Sequence, residues 1–186
     1  MQLEARTERL SIRLARLEDA HSMRDYYERN RTHLAAWEPT REDSFYSLDF
    51  WQQSTEESFE LAQQDLGYRF VAEHPAQIGT DIVGVCNLSN VVRGVFQACN
   101  LGYSIDAQYE GQGLAGEMVA AVVDLAFDQL KLHRVMANYI PSNERSGKLL
   151  TALGFEREGL ARDYLFIDGR WQDHVLTAKV NPDLSS

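Results

Sequence analysis

The stretch from Leu101 to Leu125 leaves this chain few choices. It opens with an apolar run, Leu101 to Ile105, that reads as a buried strand. It passes through Gln108-Tyr-Glu-Gly111-Gln-Gly113 and enters an amphipathic segment reaching Leu130, in which Leu114, Met118, Ala121, Val122 and Leu125 recur at helical spacing. Gly111 and Gly113 therefore fall where a strand turns into a helix. A helix start presents unpaired backbone N–H groups and the positive end of the dipole, and glycines let a ligand approach that backbone closely. The arrangement suits a phosphate or pyrophosphate, although two glycines alone also describe a plain tight turn. With Gly116 the run formally fits G-x-G-x-x-G. A dinucleotide fold, however, opens its first βαβ unit with such a loop and carries an acidic residue about 20 positions on. Here the loop falls past the middle of the chain, and Lys131-Leu-His133-Arg134 follows the helix. No Lys-Ser/Thr pair makes a P-loop. A different phosphate-bearing ligand is required.

The remaining elements are predicted around that junction. Arg9 to Ala15 alternates apolar and polar residues as a half-buried strand does. Leu17 to Asn30 reads as a helix with Leu17, Ala20, Met23 and Tyr27 on one face. A short turn or helical piece ends near Pro39, and a second helix covers about Ser47 to Asp65. Tyr68–Glu73 and Asp81–Ser89 read as strands joined by a loop holding Pro75 and Gly79. Asn90 to Gly94 breaks the chain before the strand that ends at Ile105. Arg134 to Ile140 is expected as a strand. Asn143 starts a helix that stops at Leu153-Gly154-Phe155, and Asp168-Gly169 marks a tight hairpin between Tyr164–Ile167 and Arg170–Lys179. The order β-α-α-β-β-β-α-β-α-β-β predicts a mixed α/β sheet covered by helices, in one domain spanning residues 1–186.

Composition closes off other classes. A net charge of −10 argues against a protein that coats nucleic acid or reads its sequence, and is compatible with a cationic acceptor. No apolar run approaches the length of a membrane span, and Met1 to Arg6 lacks a signal peptide's apolar region. Cys86 and Cys99 sit in strand-like runs and read as buried free thiols. Cytoplasmic residence is the expectation. The five histidines are scattered, so no metal site is expected.

The Gln108-x-x-Gly111-x-Gly113 loop, followed by Asn143-Glu-Arg-Ser146 and Leu153-Gly154-Phe155, resembles the GNAT superfamily of N-acetyltransferases. Within it, four further segments look like the RimJ type of ribosomal-protein-alanine N-acetyltransferases, from about Arg9 to Pro182. They are Trp37-Glu38-Pro39, Ser89 to Gly94, Tyr139 to Gly147 and Asp163 to His174. The resemblance implies a mixed, mostly antiparallel sheet of about seven strands, with acetyl-CoA as cosubstrate. It also implies the N-terminal alanine of a ribosomal protein as acceptor, and association with ribosomal particles. An acetyltransferase for a small amine or antibiotic, or a CoA-binding assembly factor without important catalysis, remains open.

On that reading the loop from Gln108 through Gly111, Gln112, Gly113, Leu114 and Ala115 cradles the pyrophosphate, while Tyr103, Ser104 and Ile105 pair with the pantetheine arm. In this superfamily that strand also splays from its neighbour and carries a bulge, aiming an N–H at the thioester carbonyl. Asn143 would touch the pantetheine, or serve only as a helix cap. Ser146 would return a proton to the thiolate, or serve only as a small residue beside the cofactor. Glu38 and His174 are the candidates for drawing a proton from the amine, with Asp163 and Asp173 nearby. Leu165 stands where the RimL type has a glutamate. Trp37, Tyr164, Trp171 and Asn90 are candidates for contacting the acceptor, and Arg93 for binding peptide or RNA phosphate.

Overall fold

The computed structural model describes residues 3–74 and 82–184, so the expected loop with Pro75 and Gly79 lies outside them. The chain starts with a hairpin, β1 (Glu4–Arg6) and β2 (Ser11–Leu14), then runs through α1 (Ala20–Arg29), the single turn α2 (Arg31–Leu34) and α3 (Leu48–Gln63). A meander follows: β3 (Tyr68–Glu73), β4 (Ile82–Val92) and β5 (Ala98–Ile105). Next come α4 (Leu114–Asp128), β6 (Arg134–Met136), α5 (Glu144–Ala152) and a terminal hairpin, β7 (Glu156–Ile167) with β8 (Arg170–Val180).

All the strands join one eight-stranded sheet, ordered β1-β2-β3-β4-β5-β6-β8-β7. Every neighbouring pair is antiparallel except β5 with β6. The mixed, mostly antiparallel sheet expected by resemblance is what forms, with one strand more than the expected seven. The extra strand is β1, whose three residues are too few to show an alternation. Thr7 turns it back: its hydroxyl accepts from the Leu10 N–H at 2.9 Å.

Two cores cover the two faces. On one, Phe70, Cys86, Leu88 and Leu101 pack under Leu114, Met118, Val122 and Leu125 of α4. On the other, Val71 and Val85 pack under Met23, Tyr26 and Tyr27 of α1 and Trp51 of α3. Each large apolar side chain so buried contributes roughly 1.5–3 kcal/mol, and both faces are needed to hold the sheet. Leu17 departs from expectation: the chain takes a short 3₁₀ turn there, and the side chain is exposed rather than on the buried face of α1. Cys86 and Cys99 are free and wholly buried.

Local chemistry sets the ends of the elements. Ser47 caps α3 by accepting from the Phe50 N–H at 3.2 Å. Gly154 ends α5 at φ 81°, and Asp168 and Gly169 turn the terminal hairpin at φ 51° and 70°, as a primed turn requires. The expected strand from Arg134 to Ile140 stops at Met136, because its tail leaves the ladder. Beyond it the tail keeps the bond from the Ala137 N–H to the Thr177 carbonyl and an isolated bridge, Tyr139 to Val175.

Candidate active site

The parting of β5 from β6 makes the site. Their pairing covers Ala98–Asn100 against Arg134–Met136 and goes no further. Past it, Leu101 to Ile105 keep β4 on one side and have no ladder partner on the other among the described residues. A cleft of about 520 Å³ opens there. Cross-strand partners share a face of a sheet, so the register assigns the walls. Tyr103 lies opposite Cys86, on the α4–α5 face. Ser104 lies opposite Val85 and Gly102 opposite Asn87, on the α1–α3 face. The cleft thus joins the two faces through the sheet. A bulge exists nearby, but on β4 between Ser89 and Val92, not on β5 as the resemblance implied.

On the α4–α5 face the wall is mostly backbone. Gly111 and Gly113 hold φ of 72° and 80°, the left-handed region where side chains strain. Gly113 caps α4, and the first bond within the helix runs from the Glu117 N–H to the Gly113 carbonyl at 3.1 Å. The amides of Leu114, Ala115 and Gly116 therefore precede the helical ladder. A Cβ added at Gly111 or Gly116 would meet nothing within 4 Å. This bare cradle, at the positive end of a helix, fits the pyrophosphate of CoA. Arg9 holds it in place, donating to the Gln112 carbonyl at 2.7 Å and pairing with Glu117 at 2.7 Å. Behind it, Asp106 accepts from Arg29 at 2.5 Å, from Asn30 and from the Gln108 N–H. Burial alone would raise the Asp106 carboxyl. The Gln108 amide, Arg29 and Asn30 outweigh it and hold the group below the ordinary range.

Expected residues Tyr103, Ser104, Ile105, Gly111, Gly113, Leu114, Ala115, Asn143 and Ser146 all line the cleft. Gln108 and Gln112 do not. Their job is internal, since the Gln112 amide donates to the Gln108 carbonyl at 3.1 Å and braces the loop. Asn143 does cap α5, its Oδ1 accepting from the Ser146 N–H at 3.1 Å, and faces the cleft as well. The Ser146 hydroxyl lies 2.8 Å from the Tyr103 phenol. Burial raises the phenol, partly offset by the bond to Ser146, so both hydroxyls keep their protons at neutral pH. The Tyr139 ring lies so close under α5 that a Cβ at Gly147 would sit 2.8 Å from its Oη.

The α1–α3 face supplies side chains. Trp37, Glu38 and His174 all line the cleft. Burial raises the Glu38 carboxyl, with Arg41, 3.4 Å away, pulling the other way. His174 is buried, and its Nδ1 lies 3.1 Å from the Gln172 carbonyl. A carbonyl only accepts, so Nδ1 carries hydrogen, and Nε2 has no protein partner among the described residues. Tyr164 borders this wall, its ring 5.3 Å from His174 and its hydroxyl accepting from Asn138 at 3.3 Å. A second cavity of about 240 Å³ shares Tyr27, Leu34 and Glu38 with the cleft and runs past Arg41 to Asp168 at the hairpin tip.

Two expected contacts are not brought in. Asn90 sits exposed at the β4 bulge with φ 51°, and Asn87, three residues earlier, holds the place in the cleft. Trp171 pairs with Phe166, ring centroids 5.7 Å apart, and is exposed on the hairpin face opposite His174. Arg93 is tied to Asp65 at 2.5 Å and to the Leu130 carbonyl, a structural strut rather than a free cation. Asp163 lies at an irregularity of β7, its N–H donating to Asp173. Sequence reasoning missed Arg9, Asn87 and Asn138, which no motif marks.

A sheet parted beside a glycine-cradled helix start is the arrangement that the resemblance to acetyl-CoA-dependent transferases implied. The family model described as acetyltransferase (GNAT) domain matches residues 9–156, and the chain belongs to that family of N-acetyltransferases. It is 46% identical to the ribosomal protein uS5-alanine N-acetyltransferase of Escherichia coli (strain K12), over 95% of this chain and 90% of that one. The ribosomal-protein-S5-alanine acetyltransferase from Vibrio fischeri has the same fold, with a TM-score of 0.93 and 40% identity, covering 98% and 99% of the two chains. Mycobacterium smegmatis RimJ, solved in complex with CoA-disulfide, gives 0.87 and 28%, covering 95% of this chain and 84% of that one.

Proposed function

We propose that this chain moves the acetyl group of acetyl-CoA onto the α-amino group of an N-terminal alanine, that of ribosomal protein uS5. The observation that carries the reading is the opening between β5 and β6, which connects a backbone cradle on one face of the sheet to a chamber of side chains on the other. The names of the similar uS5-alanine N-acetyltransferases support the choice of acceptor. Cytoplasmic residence and contact with ribosomal particles go with it. Among the described residues no helix is long and apolar enough to cross a membrane.

The α4 cradle binds the CoA pyrophosphate, and the free edge of β5 pairs with the pantetheine arm, delivering the thioester to the gap. The acceptor reaches the gap from the α1–α3 face. A free α-amino group has a pKa of about 7.7–8.0, so only a modest pull makes it a nucleophile at neutral pH. Glu38, its carboxyl raised by burial, and His174, through Nε2, stand on that face to take the proton. The amine lone pair forms the C–N bond at the thioester carbonyl and the C–S bond breaks. The departing thiolate takes a proton from the Ser146–Tyr103 hydroxyl pair, the amine's proton passes to the base, and the base then returns a proton through solvent to the hydroxyl pair. Acceptor residues beyond the first leave through the cavity that runs from Glu38 to Asp168.

The test is release of CoA from acetyl-CoA in the presence of short peptides beginning Ala, Ser or Met, with the product mass measured. Preferred acetylation of the Ala peptide at its α-amine is expected. Transfer to small amines alone would overturn the peptide acceptor and leave the family reading intact.

A further inference from the structure

Asn87 stands on the α1–α3 face of β4, directly between Arg69 on β3 and Gly102 on β5. Arg69 is unusual for an arginine in this fold. Burial lowers its guanidinium from the ordinary value, and its hydrogen bonds go to neutral groups. Nη1 donates to the Ser54 carbonyl and hydroxyl at 3.2 and 3.1 Å, the Trp51 ring lies 5.6 Å from its central carbon, and Nε donates to Asn87 Oδ1 at 3.3 Å. A half-buried cation with no carboxylate among its hydrogen-bond partners, Glu57 acting on it only at a distance, is costly to keep.

The guanidinium can only donate, so the bond fixes the orientation of the Asn87 amide: Oδ1 toward Arg69, Nδ2 away. Asn87 lines the cleft, and Nδ2 has no protein acceptor among the described residues. On its other side Gly102, also lining the cleft, leaves the sheet bare, and an added Cβ there would meet nothing within 4 Å. An oriented N–H donor therefore stands beside a patch of sheet without side chains, on the same face as Ser104.

We propose that Asn87 holds the acceptor, its Nδ2 donating to the first backbone carbonyl of the incoming peptide, with Arg69 as the positioning residue and Gly102 leaving room for the chain. This inference rests on the peptide-acceptor reading and adds to it a reason for the choice of substrate. An amine whose nitrogen-bearing carbon carries no carbonyl gains nothing from Asn87, whereas every peptide does.

The experiment compares two peptides that begin with Ala and differ at one bond, the first amide of one being replaced by an (E)-alkene that keeps the shape and removes the carbonyl. Wild-type enzyme is expected to favour the natural peptide by about tenfold in kcat/KM, the size of one well-placed hydrogen bond. Asn87→Ala should abolish that preference, chiefly by raising KM for the natural peptide, with the Kd for acetyl-CoA unchanged. Arg69→Gln should reduce it and Arg69→Lys restore part of it. Retained acetyl-CoA binding shows that each variant is folded, and Asn87→Ala carries the test alone if Arg69 variants are not. Wild type acetylating both peptides equally, or Asn87→Ala keeping the preference, overturns the inference and leaves the function standing. Wild type acetylating neither peptide overturns both.

Discussion

On the α4–α5 face the cleft is built of backbone, and on the α1–α3 face it is built of side chains. The first wall draws mainly on amides and glycines within one run of residues, Tyr103 to Gly116, with Asn143 and Ser146 beside it. The second gathers Trp37 and Glu38, Asn87, Asn138 and His174 from four separate places in the chain. Backbone recognition depends on φ angles and unpaired N–H groups, so it constrains residue type at fixed spacing. Side-chain recognition depends on what the sheet register brings together, which leaves no spacing to read. On the proposed reading, a donor common to many enzymes is held the first way and an acceptor particular to one is held the second.

The sharpest way to break that contrast is Gly113→Asp. The left-handed φ of 80° disfavours any side chain, and a carboxylate at the cradle repels phosphate. A loss of acetyl-CoA affinity of roughly 100-fold or more is expected, measured as Kd by calorimetry. An unchanged Kd would mean the cradle is not where the donor binds.

Glu38→Gln probes the other wall, with an expected fall in kcat/KM for the peptide of about 10²-fold and an unchanged Kd for acetyl-CoA. The acid limb of the rate profile should move up toward the peptide amine's own pKa of about 7.7–8.0. Its effect on stability has the opposite sense. A carboxyl raised by burial contributes fully below its unfolded pKa, and that contribution is lost as pH rises through the folded value. Glu38→Gln should therefore not lower Tm at pH 7, and a lower Tm would assign the residue to holding the fold.

Smaller effects follow from Ser146→Ala and Tyr103→Phe, each expected to slow turnover by about three- to tenfold, because the partner hydroxyl remains in place. If the double variant were no slower than either single one, the two hydroxyls act as one unit. Smallest of all is Trp171→Ala, which faces away from the acceptor chamber and should change kcat/KM for a short Ala peptide by less than about twofold. A larger fall would move the acceptor path onto the other side of the hairpin.

The same division explains what could be read from the sequence. The strand, the Gly111–Gly113 loop and α4 were legible because periodicity and glycine placement are local. The primed turn at Asp168-Gly169 was legible for the same reason. The β1 strand was not, since three residues carry no period and the pairing with β2 decides their state. Trp37, Glu38 and His174 reached the cleft as expected, carried by the resemblance rather than by their spacing. Asn90 was read as lying just past a strand edge, but β4 runs on through it to Val92 and leaves it exposed at the bulge, while Asn87 lines the cleft. Trp171 drew attention as an aromatic residue near the site, yet strand parity sends it to the opposite face from His174.

The two cysteines have a consequence in redox terms. Burial pushes the Cys99 thiol up to about 12 and Cys86 higher still, so neither supplies a thiolate near neutral pH. An enzyme that releases a thiol at every turnover works beside its own oxidisable product. Oxidised CoA, a disulfide, needs a thiolate to attack it before it can be captured, and the folded chain offers none. Oxidative stress should therefore leave this enzyme free of mixed disulfides with its product for as long as the sheet stays closed over residues 86 and 99.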